Sequence, residues 1–117
     1  MTTSFARCLV TGGAGFVGSA LVRALAQRTD VQQVVSLDDY SSGSEDNHVA
    51  SATYVRASTT NVADALPEGF VPTIVFHFGE FSRVVLSLDD PLRTFLSNQY
   101  GTACVARYAA ACGAKLV

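Results

Sequence analysis

Residues 11–18 read Thr-Gly-Gly-Ala-Gly-Phe-Val-Gly and are the most informative stretch of this 117-residue chain. The stretch places Gly12, Gly15 and Gly18 at three-residue intervals, between an apolar run that ends at Thr11 and a segment whose apolar residues recur at helical spacing. A glycine-rich turn from a buried strand into a helix is typical of sites that bind phosphate groups. The stretch therefore predicts a dinucleotide-binding loop.

Each glycine in this loop has an expected physical role. Gly12 allows the sharp turn out of the strand, Gly15 removes a side chain that would collide with a diphosphate, and Gly18 lets the helix pack closely on the sheet. The backbone N–H groups of the first helical turn are then free to face the diphosphate. The alternative is an ordinary glycine-rich turn without a ligand. A Walker-type loop is excluded because no Gly-Lys-Ser/Thr follows.

An acidic residue at the end of the next apolar run completes the pattern. Asp38 lies where a carboxylate accepts hydrogen bonds from the adenosine ribose and repels a 2′-phosphate. Asp39 adds to this repulsion, so the sequence favours NAD over NADP. No Arg or Lys lies between residues 29 and 55, although Arg7 and Arg56 are able to approach in space. The alternative for Asp38 is an exposed carboxylate at a strand end.

Strand and helix patterns alternate along the rest of the chain. Strands are predicted at residues 6–11, 34–37, 53–56, 73–78 and 115–117, and helices at residues 15–28, 59–66 and 91–112. Strands that are apolar throughout and alternate with helices favour a parallel sheet with right-handed crossovers. The sequence therefore predicts one doubly wound α/β domain of Rossmann type over residues 1–117. Its expected strand order is 3-2-1-4-5, with the ligand crevice beyond the carboxyl ends of strands one and four.

The two longest helices are predicted to pack on the sheet through one apolar face each. For the first helix, the face consists of Val17, Leu21, Ala24 and Leu25. For the last helix, which Asp90 caps and Gly113 ends, it consists of Leu92, Phe95, Leu96, Thr102, Ala103, Ala106 and Ala110. Both faces are expected to be buried.

Composition excludes several classes of function. The formal net charge is -2 and 15% of the residues are charged, so the chain lacks the basic surface that nucleic-acid binding requires. No apolar run approaches the ~20 residues of a membrane span, and no signal peptide is expected. Cys8, Cys104 and Cys112 are expected to be inert thiols of a reducing cytoplasm. No second ligand suggests zinc, and the last two lie too far apart along one helix for a disulfide.

Four landmarks give the chain a family likeness. They are Thr-Gly-Gly-Ala-Gly-Phe-Val-Gly-Ser at residues 11–19, Asp-Asp-Tyr-Ser-Ser-Gly at 38–43, His-Phe-Gly-Glu at 77–80, and Asp-Pro at 90–91 followed by Asn-Gln-Tyr-Gly-Thr at 98–102. With them the chain resembles, along its whole length, the extended short-chain dehydrogenase/reductases. The likeness is specifically to the NAD-dependent sugar-nucleotide epimerase/dehydratase branch.

The resemblance implies an NAD site and assigns residues to it. The implied contacts are the diphosphate at Gly12, Gly15, Phe16, Val17 and Gly18, the ribose at Asp38 and Asp39, and further parts of the cofactor at Ser58, Thr59, Phe78, Gly79 and Asn98. Ser58 stands where the family usually has an adenine-binding Asp, which weakens that hydrogen bond by on the order of 1 kcal/mol. Glu80 stands where the family prefers a small residue, and a surface pair with Arg83 is expected. His77 matches a packing position.

The chemistry that the resemblance implies is oxidation of a sugar hydroxyl by NAD to a keto intermediate, then epimerisation or elimination and return of the hydride. It requires a Tyr general base and a Lys four residues later. The single lysine, Lys115, has Ala111 in the earlier position, so the pair is absent. The chain is expected to stop within its fifth strand. It is therefore predicted to be the NAD-binding N-terminal portion of such an enzyme, inactive alone, with a nucleotide sugar bound only when a C-terminal part completes it.

Two alternatives stay open. A non-enzymatic NAD-binding sensor module keeps the crevice without the chemistry. A split enzyme is completed by a second chain that carries the Tyr and the Lys. In each case an apolar sheet edge beside the fourth strand predicts self-association.

Overall fold

The computed structural model describes residues 5–117, along which strands and helices alternate. The strands are β1 (Ala6–Thr11), β2 (Val31–Asp38), β3 (Thr53–Arg56), β4 (Ile74–His77) and β5 (Lys115–Leu116). The helices are α1 (Phe16–Ala26), α2 (Val62–Ala65), α3 (Val84–Asp89), α4 (Pro91–Thr94) and α5 (Gly101–Cys112). A π-helical segment, Phe95–Tyr100, joins α4 to α5, and 3₁₀ turns lie at Glu45–Asn47 and Thr59–Asn61.

The five strands form one parallel sheet in the order β3-β2-β1-β4-β5. β1 lies at the centre, where Cys8 pairs with Val34 of β2 and with Ile74 of β4. Residues 8–11 are buried because helices cover both faces of this strand. The predicted doubly wound α/β fold and its strand order are confirmed. The connection changes direction between β1 and β4, so a crevice is expected beyond the carboxyl ends of these strands.

The side chains of β1 point alternately to the two faces of the sheet and divide the core in two. Leu9 packs with Val75 of β4 and Val105 of α5 on one face. Val10 packs with Val22 of α1 on the other. Each buried aliphatic side chain contributes about 1.5–3 kcal/mol of transfer free energy. Packing therefore holds α1 and α5 in fixed positions around the crevice.

The buried face of α1 differs from the prediction. The buried residues are Gly18, Ser19, Val22 and Leu25. Val17 and Ala24 are exposed, so the predicted face is wrong at both positions. The helix is turned because Gly18 lies against the glycine loop, and this directs Val17 toward the crevice.

The packing face predicted for the last helix is wrong at most positions. The buried residues are Gly101, Val105 and Ala109, with Cys104 and Tyr108 packed beside them. Exposed positions of the predicted face are Leu92, Phe95, Leu96, Ala103 and Ala110. Nearly every residue of this segment is small or apolar, so the pattern does not single out one face. The π-helical segment also rotates α4 relative to α5. The predicted stop is confirmed, since Gly113 caps α5 with a φ of 67°.

The sequence patterns predict no helix at α3. Its sequence, Val-Val-Leu-Ser-Leu-Asp, is rich in β-branched and apolar residues and carries no cap signal. Val84, Val85 and Leu88 are 72%, 72% and 77% exposed. α3 therefore presents an apolar surface that no other part of residues 5–117 covers.

Candidate functional site

A cleft of about 320 Å³ opens beyond the carboxyl ends of β1, β2, β3 and β4. Eleven of the twelve residues predicted to contact a cofactor line this cleft, namely Gly12, Gly15, Phe16, Val17, Gly18, Asp38, Asp39, Ser58, Thr59, Phe78 and Gly79. The twelfth, Asn98, is not among the lining residues. The fold thus brings the ends of four strands to one site, as expected where a parallel sheet changes direction.

Backbone contacts leave no room for a side chain at Gly12 and Gly18 of the glycine loop. Gly12 has a φ of 72°, and a Cβ there would lie 2.8 Å from the backbone of Phe78. A Cβ on Gly18 would overlap the carbonyl oxygen of Gly12, so the absence of a side chain at Gly18 lets α1 pack against the turn that follows β1. A Cβ on Gly15 would meet only that same oxygen, at 3.4 Å. The space above Gly15 is therefore open to the cleft.

The N-terminus of α1 points into the cleft, and no side chain of residues 5–117 caps it. The amide of Ser19 donates to the carbonyl of Gly15 at 3.0 Å and begins the helical hydrogen bonds. The amides of Phe16, Val17 and Gly18 precede it and have no acceptor within the helix. Phe16, Val17 and Gly18 all line the cleft, and Phe16 is 94% exposed. Free amides at the positive end of a helix dipole form an anion-binding site.

Asp38 is only 9% exposed and ties the glycine loop to the end of β2. Its Oδ2 accepts a hydrogen bond from the amide of Ala14 at 3.0 Å, and its Oδ1 accepts one from the amide of Tyr40 at 2.9 Å. Each oxygen keeps a second lone pair for a ligand hydroxyl. Asp39 is exposed and its Oδ1 accepts from the amide of Ser41 at 2.9 Å. The two carboxylates make this end of the cleft acidic.

Ser58 and Thr59 form the wall of the cleft at the end of β3. The Ser58 hydroxyl oxygen accepts from the amide of Thr60 at 3.2 Å and from its hydroxyl at 3.0 Å. These two contacts fix the Ser58 hydroxyl at the start of the 3₁₀ turn, where Ser58 lines the cleft. Thr59 lies against Gly101, where an added Cβ would overlap the Thr59 hydroxyl. This contact brings α5 close to the cleft wall.

The hydroxyl of Thr11 connects β1 to the loop that follows β4. Its oxygen accepts from the amides of Phe78 and Gly79, both at 3.0 Å. Because its lone pairs are then in use, the hydroxyl proton is donated to Nδ1 of His77, 2.6 Å away. The proton of the His77 ring accordingly lies on Nε2. His77 is thus a hydrogen-bonded packing residue at the end of β4.

The predicted pair of Glu80 with Arg83 is wrong. Oε1 of Glu80 instead accepts from Nε2 of His77 at 2.9 Å and from the hydroxyl of Thr102 at 2.6 Å. The carboxylate is turned toward β4 and α5 because these two donors are both within reach. Glu80 therefore ties the loop after β4 to α5 and still lines the cleft.

Asn98 holds the same loop from the π-helical segment. Its Oδ1 accepts from the amide of Phe81 at 2.6 Å, and its Nδ2 donates to the carbonyl of Phe81 at 3.0 Å. Both polar atoms of the side chain are occupied by one residue of the loop. The structure therefore places Asn98 behind the cleft wall.

Sequence reasoning missed part of the cleft lining in its site assignment. The missed residues are Leu37, Ser41, Ser42, Ala57, Glu80, Ser82, Arg83 and Ser97. Ser41 and Ser42 follow the acidic pair in the chain, which was an available signal. Arg83 and Ser97 come from an irregular loop and a π-helical turn, for which no periodic pattern exists. Arg83 adds a positive charge to a cleft whose other end is acidic.

Neither a metal centre nor a membrane-spanning helix accompanies the cleft in the part of the chain that the structure describes. Within residues 5–117, no group of three or more His, Cys, Asp or Glu side chains is placed to hold a metal ion. The same residues include no helix with the length and apolar character needed to cross a membrane.

Comparison with known proteins identifies relatives that match almost the whole chain. The sequence profile of the NAD dependent epimerase/dehydratase family matches residues 8–117. A UDP-glucose 4-epimerase of Mycolicibacterium smegmatis is 38% identical in an alignment 117 positions long, which covers 95% of this chain and 37% of that protein. UDP-glucuronic acid decarboxylase 6 of Arabidopsis thaliana is 30% identical over 111 residues, which is 95% of this chain and 32% of that protein.

Solved structures give the same result for the fold. The UDP-glucose 4-epimerase of Thermus thermophilus, in complex with NAD, matches with a TM-score of 0.81 at 31% identity, over 94% of this chain and 36% of that one. The chain thus spans about a third of the length of these relatives. The family depends on NAD, which is the cofactor that the sequence predicts. Because the profile matches residues 8–117, the chain belongs to the NAD dependent epimerase/dehydratase family.

Proposed function

We propose that residues 1–117 form the NAD-binding N-terminal domain of a sugar-nucleotide epimerase/dehydratase. One observation carries this proposal: the uncapped end of α1, the open space above Gly15 and the Asp38 carboxylate meet in one cleft. The end of α1 and the space above Gly15 suit the diphosphate of an adenosine diphosphate group, and the Asp38 carboxylate suits its ribose hydroxyls. Family membership supports it, and NAD is bound in the Thermus thermophilus relative.

The proposed cofactor contacts follow from what each wall of the cleft offers. The free amides of Phe16, Val17 and Gly18 bind the diphosphate, which enters the space above Gly15. Asp38 accepts hydrogen bonds from the adenosine ribose through its remaining lone pairs. The other proposed contact residues are Gly12, Asp39, Ser58, Thr59, Phe78 and Gly79. Asn98 acts as a positioning residue through Phe81.

The chain is proposed to bind and orient the cofactor without completing the reaction. When bound, NAD supplies a hydride acceptor for a sugar hydroxyl and later returns the hydride. The amides at the start of α1 bind the negatively charged diphosphate, and Asp38 binds the ribose hydroxyls. Asn98 positions the loop after β4. A Tyr followed four residues later by a Lys is absent, since Lys115 is the single lysine. A nucleotide sugar is therefore proposed as a substrate only of a protein that also contains a C-terminal part.

The experiment that tests this function is a calorimetric titration of the chain with NAD, followed by a sugar nucleotide in the presence of NAD. We expect saturable NAD binding at one site, no heat from the sugar nucleotide and no turnover. Absence of NAD binding would overturn the proposal. Turnover by the chain alone would overturn its second half, because a catalytic base would then exist within these residues.

Two further proposals concern the surroundings of the chain. We place it in a reducing cytoplasm because Cys8, Cys104 and Cys112 are all free thiols. We also propose self-association, because Leu116 and Val117 beside β4 are 40% and 58% exposed and α3 is apolar and uncovered.

A further inference from the structure

A connected group of side chains surrounds a single arginine next to the acidic end of the cleft. Its members are Tyr40, Glu45, His48, Tyr54 and Arg56, and we call it the Arg56 cluster. The guanidinium carbon of Arg56 lies 4.0 Å from the centre of the Tyr40 ring, and its Nη2 donates to Oε1 of Glu45 at 3.3 Å. The Tyr40 hydroxyl lies 2.6 Å from Nε2 of His48, whose ring stacks on Tyr54 at 3.6 Å.

Tyr40 occupies an unfavourable backbone conformation within this cluster. Its φ is 60°, and it is the one residue other than glycine with a positive φ among residues 5–117. The amide of Tyr40 donates to Asp38, so the same carboxylate that faces the cleft fixes the backbone on which the ring is mounted. Burial raises the pKa of the Tyr40 phenol, with a further contribution from Asp38. The hydroxyl is also within hydrogen-bond distance of His48. A residue that is held in a strained backbone conformation by several contacts indicates a functional role for its side chain.

Arg56 is placed where it could serve a different cofactor. It pairs in register with Asp38 on the neighbouring parallel strand, and residues in register point to the same face of a sheet. Under the proposed function, Asp38 marks the position of the adenosine ribose. A free arginine at this position would offer a planar pair of donors to a 2′-phosphate. The other candidate cation, Arg7, donates to the carbonyl of Val71 at 2.7 Å, at the amino end of β1 and away from the cleft.

We propose that Tyr40 and Glu45 withhold Arg56 from the ribose site and so act as specificity residues that disfavour NADP. This rests on the proposed function, since it assumes that the dinucleotide ribose lies at Asp38. The ring of Tyr40 occupies one face of the guanidinium and Glu45 takes one of its donors. Arg56 is therefore engaged on the loop after β2, and Asp38 and Asp39 repel a 2′-phosphate without opposition.

The individual contacts of Arg56 are weak, and only their combination withholds the guanidinium from the ribose site. The side chains of Arg56 and Glu45 are 61% and 74% exposed, so their ion pair contributes little by itself. A cation–π contact adds a comparable amount at an exposed site. Tyr40 makes the difference because hydrogen bonds at its amide and its hydroxyl fix its position. Both the Tyr40 ring and the Glu45 carboxylate must therefore be removed to free the Arg56 side chain of these contacts.

The test measures the ratio of the dissociation constants for NADP and NAD by calorimetric titration. The central variant is Y40G/E45Q, because glycine accepts the positive φ while losing the ring. We expect its ratio to shift toward NADP by about tenfold, equivalent to about 1.4 kcal/mol. E45Q alone, at an exposed position, is expected to shift it in the same direction by about twofold. Adding R56Q to Y40G/E45Q is expected to restore the original ratio.

Two controls separate release of Arg56 from general disturbance. R28Q removes a similarly exposed arginine, paired with Asp30 at the other end of the sheet, and should leave the ratio unchanged. R56Q in the native background should also leave it unchanged, because the arginine is already withheld. A change that weakens the binding of NADP and NAD by the same factor leaves the ratio of their dissociation constants unchanged. The ratio is therefore informative even for a partly destabilised variant.

Three results would overturn the inference while the proposed function stands. They are NAD binding with an unchanged ratio in both E45Q and Y40G/E45Q, a gain that persists after R56Q is added, and loss of NADP affinity in R56Q alone. Failure of the native chain to bind either dinucleotide would overturn the proposed function, and this inference with it.

Discussion

The backbone amide of Ala14 donates a hydrogen bond to Oδ2 of Asp38 across 3.0 Å, which joins the glycine loop to the end of β2. The same carboxylate accepts from the amide of Tyr40 through Oδ1. One buried side chain therefore sets the shape of the loop that is proposed to bind the diphosphate and the position of the proposed ribose acceptor. The proposed phosphate and ribose sites are therefore coupled through Asp38.

Replacement of Asp38 by Asn is expected to weaken both the fold and NAD binding. An amide side chain has one acceptor oxygen, and its NH₂ group would face either the Ala14 or the Tyr40 amide. One buried donor then lacks a partner, so the free energy of unfolding should fall by about 1–3 kcal/mol in urea titration. D39N is the matched control and should change stability by less than about 0.5 kcal/mol, because Asp39 is exposed. Equal effects of the two substitutions would contradict the coupling.

Two alanine substitutions in the glycine loop are expected to have different consequences. G18A should destabilise the fold, because its Cβ would overlap the Gly12 carbonyl, which is backbone and has no room to move. G15A should leave thermal unfolding nearly unchanged, since its Cβ meets only one atom at 3.4 Å. It should nevertheless weaken NAD binding by about tenfold or more, equivalent to about 1.4 kcal/mol, because the methyl group occupies the diphosphate space. G15A that binds NAD normally would refute the proposed position of the diphosphate.

Replacement of Asn98 by Asp is expected to loosen the loop after β4. The carboxylate can still accept from the amide of Phe81 but repels its carbonyl oxygen, to which Asn98 now donates. Hydrogen exchange at the loop amides should become faster in N98D and faster still in N98A. Q99A is the control, since Gln99 is exposed on the neighbouring position. Unchanged exchange at Phe81 in N98A would show that these bonds do not hold the loop.

Stability is expected to fall at alkaline pH. Burial raises the pKa of the Cys8 thiol above its ordinary value of 9.0, and burial with a hydrogen bond to Cys112 raises the pKa of Tyr108 to about 12. Both groups lose their protons more readily in the unfolded chain, so their contribution is complete below about pH 9 and is lost as pH rises through the folded values. Urea unfolding at stepped pH should show this decline, and Y108F should flatten the part above pH 10. A native curve that stays flat to pH 11 would contradict the assignment.

Self-association is expected from the apolar surfaces of α3 and β5. Val84, Val85 and Leu88 are largely exposed, and so is Val117. Sedimentation velocity across a range of concentrations should show reversible association, reduced in a V85K/L88K variant. A monodisperse monomer at every concentration would contradict this expectation.

The glycine loop and Asp38 could be predicted because short stretches of sequence specify them. Gly12 and the apolar run of β1 define a strand-to-turn junction by local rules alone. Strand order followed from the alternation of strands and helices, which leaves few possible topologies. These features require no knowledge of distant contacts.

The parts that could not be predicted depend on contacts between distant residues. Whether Asn98 faces the cleft or the loop is decided by Phe81, seventeen positions earlier. Glu80 turns toward Thr102 and not toward Arg83 because β4 and α5 bring two donors together. The packing face of α5 is decided by the π-helical segment and by Gly101 against Thr59, neither of which has a periodic pattern.

The most direct test of the central claim is the mapping of backbone amide shifts by NMR during titration of the chain with NAD. We expect saturable shifts that are largest at the amides of Phe16, Val17 and Gly18, with smaller shifts near Asp38. Binding of NAD with unperturbed amides in the first turn of α1, or no binding at all, would contradict it.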